Sequence, residues 1–244
     1  MTPEAVLTFE KLEYDQRYYI QTAKSNITSI GQVIGEALSN SDEAITKRCE
    51  RDGTPDMGEI TVSYAPQDMM LTVRDDGLGM TASDMLSRLK QVGASAMEGA
   101  RRGFFHRGIR EVFTAMGGGE VESIGLDAAG VPTYSKTVFR AKEGMAMTVS
   151  DAPVGPDVRN RLGLEGTGTV VRIPMAPLAV KKPKLFEYPD MRRQIEDCVQ
   201  IRPVLADDQR TVVLRYAETP PSTLRFRYPN GEVLIAESTI SVAG

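Results

Sequence analysis

Four stretches of this sequence carry side chains whose types and spacing suit chemistry. In the first, Glu36 and Asn40 place a carboxylate and a carboxamide one helical turn apart, and Glu43 and Lys47 repeat the step along the same face. A solvated helix face would carry the same row, so the row alone decides nothing. In the second, Asp75 shares the parity of Leu71 and Val73, which turns its carboxylate toward the buried side. A buried carboxylate is costly unless donors meet it. Gly77 and Gly79 follow, and they permit unusual dihedrals and close approach of another group to the backbone. A plain hairpin turn explains the Asp-Gly pair but not the inward Asp75. In the third, a glycine-containing loop with Gly103, Arg107 and Gly108 opens directly onto an apolar helical pattern at Ile109, Val112, Phe113 and Met116. Such a helix start aims free N–H groups and a positive end at an anion, and a guanidinium suits phosphate oxygens. In the fourth, Thr169 shares parity with Val171 and Ile173, so its hydroxyl also points inward.

These groups need elements to hold them. The Glu36 helix is expected at 29–49, where Ile30, Val33, Ile34, Ala37, Leu38 and Ile45 form an apolar stripe roughly 130° around from the polar row. Asp52-Gly53-Thr54-Pro55 breaks it. Ile60, Val62 and Tyr64 alternate as one strand, and Met69, Leu71 and Val73 return as the second arm of a hairpin. A helix starts near Thr81. Strands are expected at 119–126, 132–141 and 145–150, with a short strand at 5–9 and a helix from Tyr14 to Lys24. Pro153-Val154-Gly155-Pro156 reads as a loop. After Pro174 come a connector with Lys181, Lys182 and Lys184, a short helix at 191–199, and strands at 211–216, 224–226 and 233–235. Turns are expected at Pro220-Pro221 and Asn230-Gly231.

Composition narrows the classes. Hydrophobic residues make up 41% and charged residues 25%, as in an ordinary globular protein. A net charge of −4 gives no overall footprint for nucleic acid. Two cysteines, Cys49 and Cys198, suggest neither a disulfide framework nor a metal site, and point to a reduced, cytoplasmic setting. One histidine, His106, leaves no material for a multi-histidine metal site. No apolar run approaches the ~18 residues of a membrane span.

Together, in this order and spacing, the four stretches resemble the ATP-binding module of the GHKL superfamily over residues 30–173. That group holds gyrase B subunits, MutL proteins, the ninety-kilodalton heat-shock chaperones, MORC proteins and histidine kinases. The resemblance implies an α+β fold, a two-layer α/β sandwich (the Bergerat fold) with a mixed, mostly antiparallel sheet covered by helices on one face. A small β-rich segment would follow. It implies an ATP-binding domain at 1–178 with a lid at about 81–107, and a connector and start of a transducer-like domain at 179–244. It also implies roles. Glu36 is the general base for the attacking water, and Asn40 holds Mg²⁺. Asp75 accepts a hydrogen bond from the adenine amino group, supported by Thr169. Gly77 and Gly79 let the backbone pass close to the nucleotide, and Met80 lines the base pocket. Gly103, Arg107, Gly108 and Ile109 wrap the phosphates.

The sequence departs from the pattern in places. Glu43 stands where gyrase, MutL and the chaperones carry Asp, with Asp42 one place earlier. Met97 stands near a frequent lysine, and Phe104-Phe105-His106 replaces a more glycine-rich run. Glu36, and the lack of any histidine before it, oppose the kinase branch. The expected function is therefore Mg²⁺-dependent ATP hydrolysis that drives conformational change or dimerisation in a larger assembly, with ATP and ADP as ligands. Protein partners or further domains of a longer chain are expected. A slow or non-hydrolysing nucleotide-binding module is the alternative.

Overall fold

The computed structural model describes residues 16–90 and 108–226. The strand expected at 5–9, lid residues 91–107 with Met97, Gly103 and Arg107, and the turn and strand expected after 226 lie outside them. The helices are α1 (Gln16–Asn26), α2 (Ile30–Asp52), α3 (Ala82–Lys90), α4 (Gly108–Met116), α5 (Pro156–Leu162), α6 (Ala176–Ala179), α7 (Tyr188–Glu196) and α8 (Arg202–Leu205). The strands are β1 (Gly58–Ala65), β2 (Met70–Asp75), β3 (Gly118–Leu126), β4 (Pro132–Arg140), β5 (Gly144–Pro153), β6 (Gly168–Pro174), β7 (Arg210–Tyr216) and β8 (Thr219–Thr223).

Helix α2 begins with a reciprocal cap. Gln32 N–H donates to Ser29 Oγ at 3.2 Å, and Ser29 N–H donates to Gln32 Oε1 at 3.0 Å. It ends where Gly53 takes a left-handed conformation at φ 62°. Its expected apolar stripe is buried throughout. Among the described residues it lies on one eight-stranded sheet of order β5-β4-β3-β6-β2-β1-β7-β8. Every neighbouring pair is antiparallel except β1 with β7. The architecture is the expected α+β sandwich.

The main core joins the α2 stripe to Met85 of α3, Val112 and Phe113 of α4, and Met191 and Ile195 of α7. It continues into Val212 and Leu214 of β7. Residues 179–226 thus share both the sheet and the core of the preceding residues. A second, smaller core of Ile124, Tyr134, Leu162, Leu164 and Val170 gathers under α5. Val170 points opposite to Thr169, so α5 covers the other face of the sheet. There Glu122, 1% exposed, accepts hydrogen bonds from Arg161, Arg172 and the Tyr134 hydroxyl.

Three local expectations change. The strand expected at 224–226 is irregular, because the second arm of the hairpin is β8 and ends at Thr223. The segment read as a loop from Pro153 runs directly into α5, with Pro156 in its first turn and Gly163 closing it at φ 65°. Pro220 and Pro221 sit inside β8, and Ala217-Glu218 makes the turn. Proline is tolerated there because, among the described residues, β8 is an edge strand of the sheet.

Candidate functional site

The register of three strands builds one end of the candidate site. Asp75 lies opposite Thr169, and Thr169 lies opposite Ser123, so all three project from the α2-facing side in one transverse row. Asp75 is buried, and it is met by donors. Ser41 Oγ donates to Asp75 Oδ2 at 2.9 Å, and Gly77 N–H donates to Oδ1 at 2.9 Å. Burial pushes the Asp75 carboxyl up to about 7, with the Gly77 and Ser41 bonds pulling it back down. Ser123 Oγ donates to Gly168 O at 2.7 Å and accepts from Met80 N–H at 2.9 Å. With its proton spent there, Ser123 accepts from Thr169 Oγ1 at 3.0 Å, which leaves the Thr169 oxygen as an acceptor beside Asp75.

The glycines are required by protein contacts. A Cβ on Gly77 would stand 2.6 Å from Ala44 Cβ of α2, and one on Gly79 would stand 1.9 Å from Ile124 O. Gly79 also holds φ at +72°. Leu78 N–H donates to Ala44 O at 2.8 Å, and Thr167 Oγ1 donates to Gly77 O at 2.8 Å. The turn after Asp75 is therefore clamped between α2, β3 and the start of β6.

The other end lies about 7.5 Å back along α2, the rise of five residues from Ser41 to Glu36. Glu36 is half-buried, and its carboxylate accepts the backbone N–H of Gly108 at the start of α4. Desolvation raises it to about 7, the charge of Glu111 adds to the rise, and the Gly108 bond opposes it. Glu111 is itself buried and accepts from Asn26 Nδ2 at 2.8 Å. A helix N-terminus that already holds a carboxylate is suited to an anion. Asn40 is exposed on α2, and Ile109 packs against the main core.

Glu43 pairs with Lys47 one turn on, toward solvent. Asp42 is buried and bonded to Arg210, so the acid shifted by one place does not stand in for Glu43. Sequence reasoning missed Ser41 and Ser123. Ser123 was findable from its parity with Val121 in a strand, and Ser41 only as a neighbour of Asn40. A separate cavity of about 630 Å³ opens beyond Asp76, lined among others by Arg48, Arg74, Arg159 and Thr167. It includes neither Glu36 nor Asp75.

A family model described as histidine kinase-, DNA gyrase B- and HSP90-like ATPase matches residues 25–177, a span that contains the whole α2–β6 arrangement. The chain belongs to that family. Comparison with curated proteins found no match. As a member of the histidine kinase-, DNA gyrase B- and HSP90-like ATPases, the chain carries an ATP-binding domain of ATPase type. No helix among the described residues is long and apolar enough to cross a membrane.

Proposed function

We propose that this member of the family is a Mg²⁺-dependent ATPase that hydrolyses ATP to ADP and phosphate. The observation that carries the reading is that one helix serves both ends of the candidate site. Ser41 of α2 orients the buried Asp75, and Glu36 of α2 reaches the start of α4. Asp75 accepts the adenine amino group, and the Thr169 oxygen accepts from the same edge or from a water. Met80 borders the base, held by its bond to Ser123. The Gly108 N–H and the α4 N-terminus receive phosphate oxygens, which releases Glu36 to orient and deprotonate water. A carboxylate poised near neutrality suits that task.

The donor set fits Mg²⁺. Mg²⁺ is a hard cation that takes oxygen ligands and few of them from protein when phosphates and water supply the rest, so one carboxamide oxygen suffices. Asn40, exposed one turn from Glu36, would hold it, and the ion would neutralise charge developing on the phosphates. ATP-dependent homodimerisation is part of the same proposal, supported by the resemblance, and sedimentation with and without a non-hydrolysable ATP analogue tests it.

Glu36→Gln is expected to cut turnover by about 10²–10⁴-fold with ATP affinity retained. Unchanged turnover would remove Glu36 from its role. The second reading is a nucleotide-binding module that does not hydrolyse, favoured by the commitment of Glu43 to Lys47. ATP binding without phosphate release in the wild-type protein would select it.

A further inference from the structure

Arg210, the first residue of β7, is 1% exposed, and its guanidinium is fully engaged. Nε donates to Asp42 Oδ1 at 2.7 Å, Nη2 to Asp56 Oδ1 at 2.7 Å and to Thr46 Oγ1 at 2.8 Å, and Nη1 to Asp56 O at 2.7 Å. Asp42 and Thr46 belong to α2, one turn apart, and Asp42 is 4% exposed. Asp42 directly follows Ser41, the donor to Asp75, and lies two residues beyond Asn40.

Neighbouring residues on a helix point about 100° apart, so α2 is pinned by directional bonds at two angles, Ser41 to β2 and Asp42 to β7. Apolar packing alone is non-directional and sets helix rotation loosely. A rotation of about 10° moves a side-chain tip roughly 5–6 Å from the axis by about 1 Å. A misplacement of ~1 Å can cost ~10²-fold in rate. A buried ion pair adds little net stability over an apolar pair of similar size, so stability alone gives no reason for charge here.

We infer that Arg210 is a positioning residue of the nucleotide site, which acts through Asp42 to set the rotation of α2 and with it Glu36 and Asn40. The inference rests on the ATP-binding reading above, and it makes β7 part of the functional unit.

The test uses the full chain with Arg210→Lys and the double variant Asp42→Leu/Arg210→Met, which replaces the pair by apolar side chains. Melting temperature, ADP binding in EDTA, the gain in ATP affinity on adding Mg²⁺, and single-turnover phosphate release are measured. The double variant is expected to fold with a lowered melting temperature, since Asp56 and Thr46 lose a donor, and to bind ADP within a few-fold. It should lose most of the Mg²⁺-dependent gain and at least ~10-fold in turnover. Arg210→Lys, which keeps the charge but not the fork, should fall between. A folded double variant with wild-type Mg²⁺ dependence and turnover overturns the inference. If the double variant does not fold, a folded Arg210→Lys with both wild-type values overturns it instead. A wild-type protein that binds ATP without releasing phosphate leaves the Mg²⁺-dependent gain to decide. A wild-type protein that binds no ATP overturns the underlying reading, and this inference with it.

Discussion

Asp75 and Glu36 both sit where burial resists their charge, and each is held near 7 against ordinary values of 3.8 and 4.5. The folded-state values lie above the unfolded ones, so between about pH 4 and 7 the folded protein holds the extra protons. Their contribution to stability is fully present below about pH 4, falls as pH rises from there, and is lost once pH has passed about 7. Thermal melting of ligand-free protein should show this fall, and Asp75→Asn should flatten it. Catalysis runs the other way. Glu36 must be ionised to act as a base, so kcat/KM should rise with pH through about 7 in a steady-state profile. Ser41 supplies the side-chain hydrogen bond that orients Asp75, beside the Gly77 N–H. Ser41→Ala removes one of the hydrogen bonds that orient the Asp75 carboxyl and should weaken ATP binding by about 1 kcal/mol, roughly 5-fold in Kd by calorimetry.

Among the elements, the Asp75–Thr81 turn shows how a local motif is enforced by neighbours. Gly79 and Gly130 both hold positive φ, at +72° and +77°. A Cβ on Gly130 meets nothing within 4 Å, whereas one on Gly79 runs into Ile124 O at 1.9 Å. Gly130→Ala should therefore cost only the left-handed penalty, about 1–2 kcal/mol. Gly79→Ala should cost that plus a backbone displacement of β3, which carries Ser123, and so more than its control in urea unfolding. The chain showed that a glycine turn follows Asp75, because Gly-x-Gly after an alternating strand is a local signal. It did not show that β3 and α2 grip this turn, because those contacts join residues far apart in sequence. Helix α5 was missed for a related reason. It is seven residues long, too short for a clear periodic stripe, and only its proline start and glycine end announce it.

For the whole molecule, β7 is the element that closes the structure. It pairs in parallel with β1, buries Val212 and Leu214, and supplies Arg210 to α2. A chain ending at residue 178 would expose the β1 edge and leave Asp42 buried without its arginine. Such a truncation should be insoluble or lack cooperative unfolding by circular dichroism, although it spans the whole family match. A cooperative, ATP-binding 1–178 fragment would show that β7 is dispensable.

The features legible along the chain are local ones. The 3.6-residue stripe made α2 and set Glu36 and Asn40 on its polar side, and strand alternation turned Asp75 and Thr169 inward. Those features depend only on neighbours along the chain, so periodicity reveals them. Which strand lies beside which is settled by the folded core. It set Thr169 between Asp75 and Ser123, sent Asp42 to Arg210 instead of to the site, and added β7 to the sheet of the family domain. Pairings across tens to more than a hundred residues are chosen by the packing of the whole core, and no short window of sequence contains that choice.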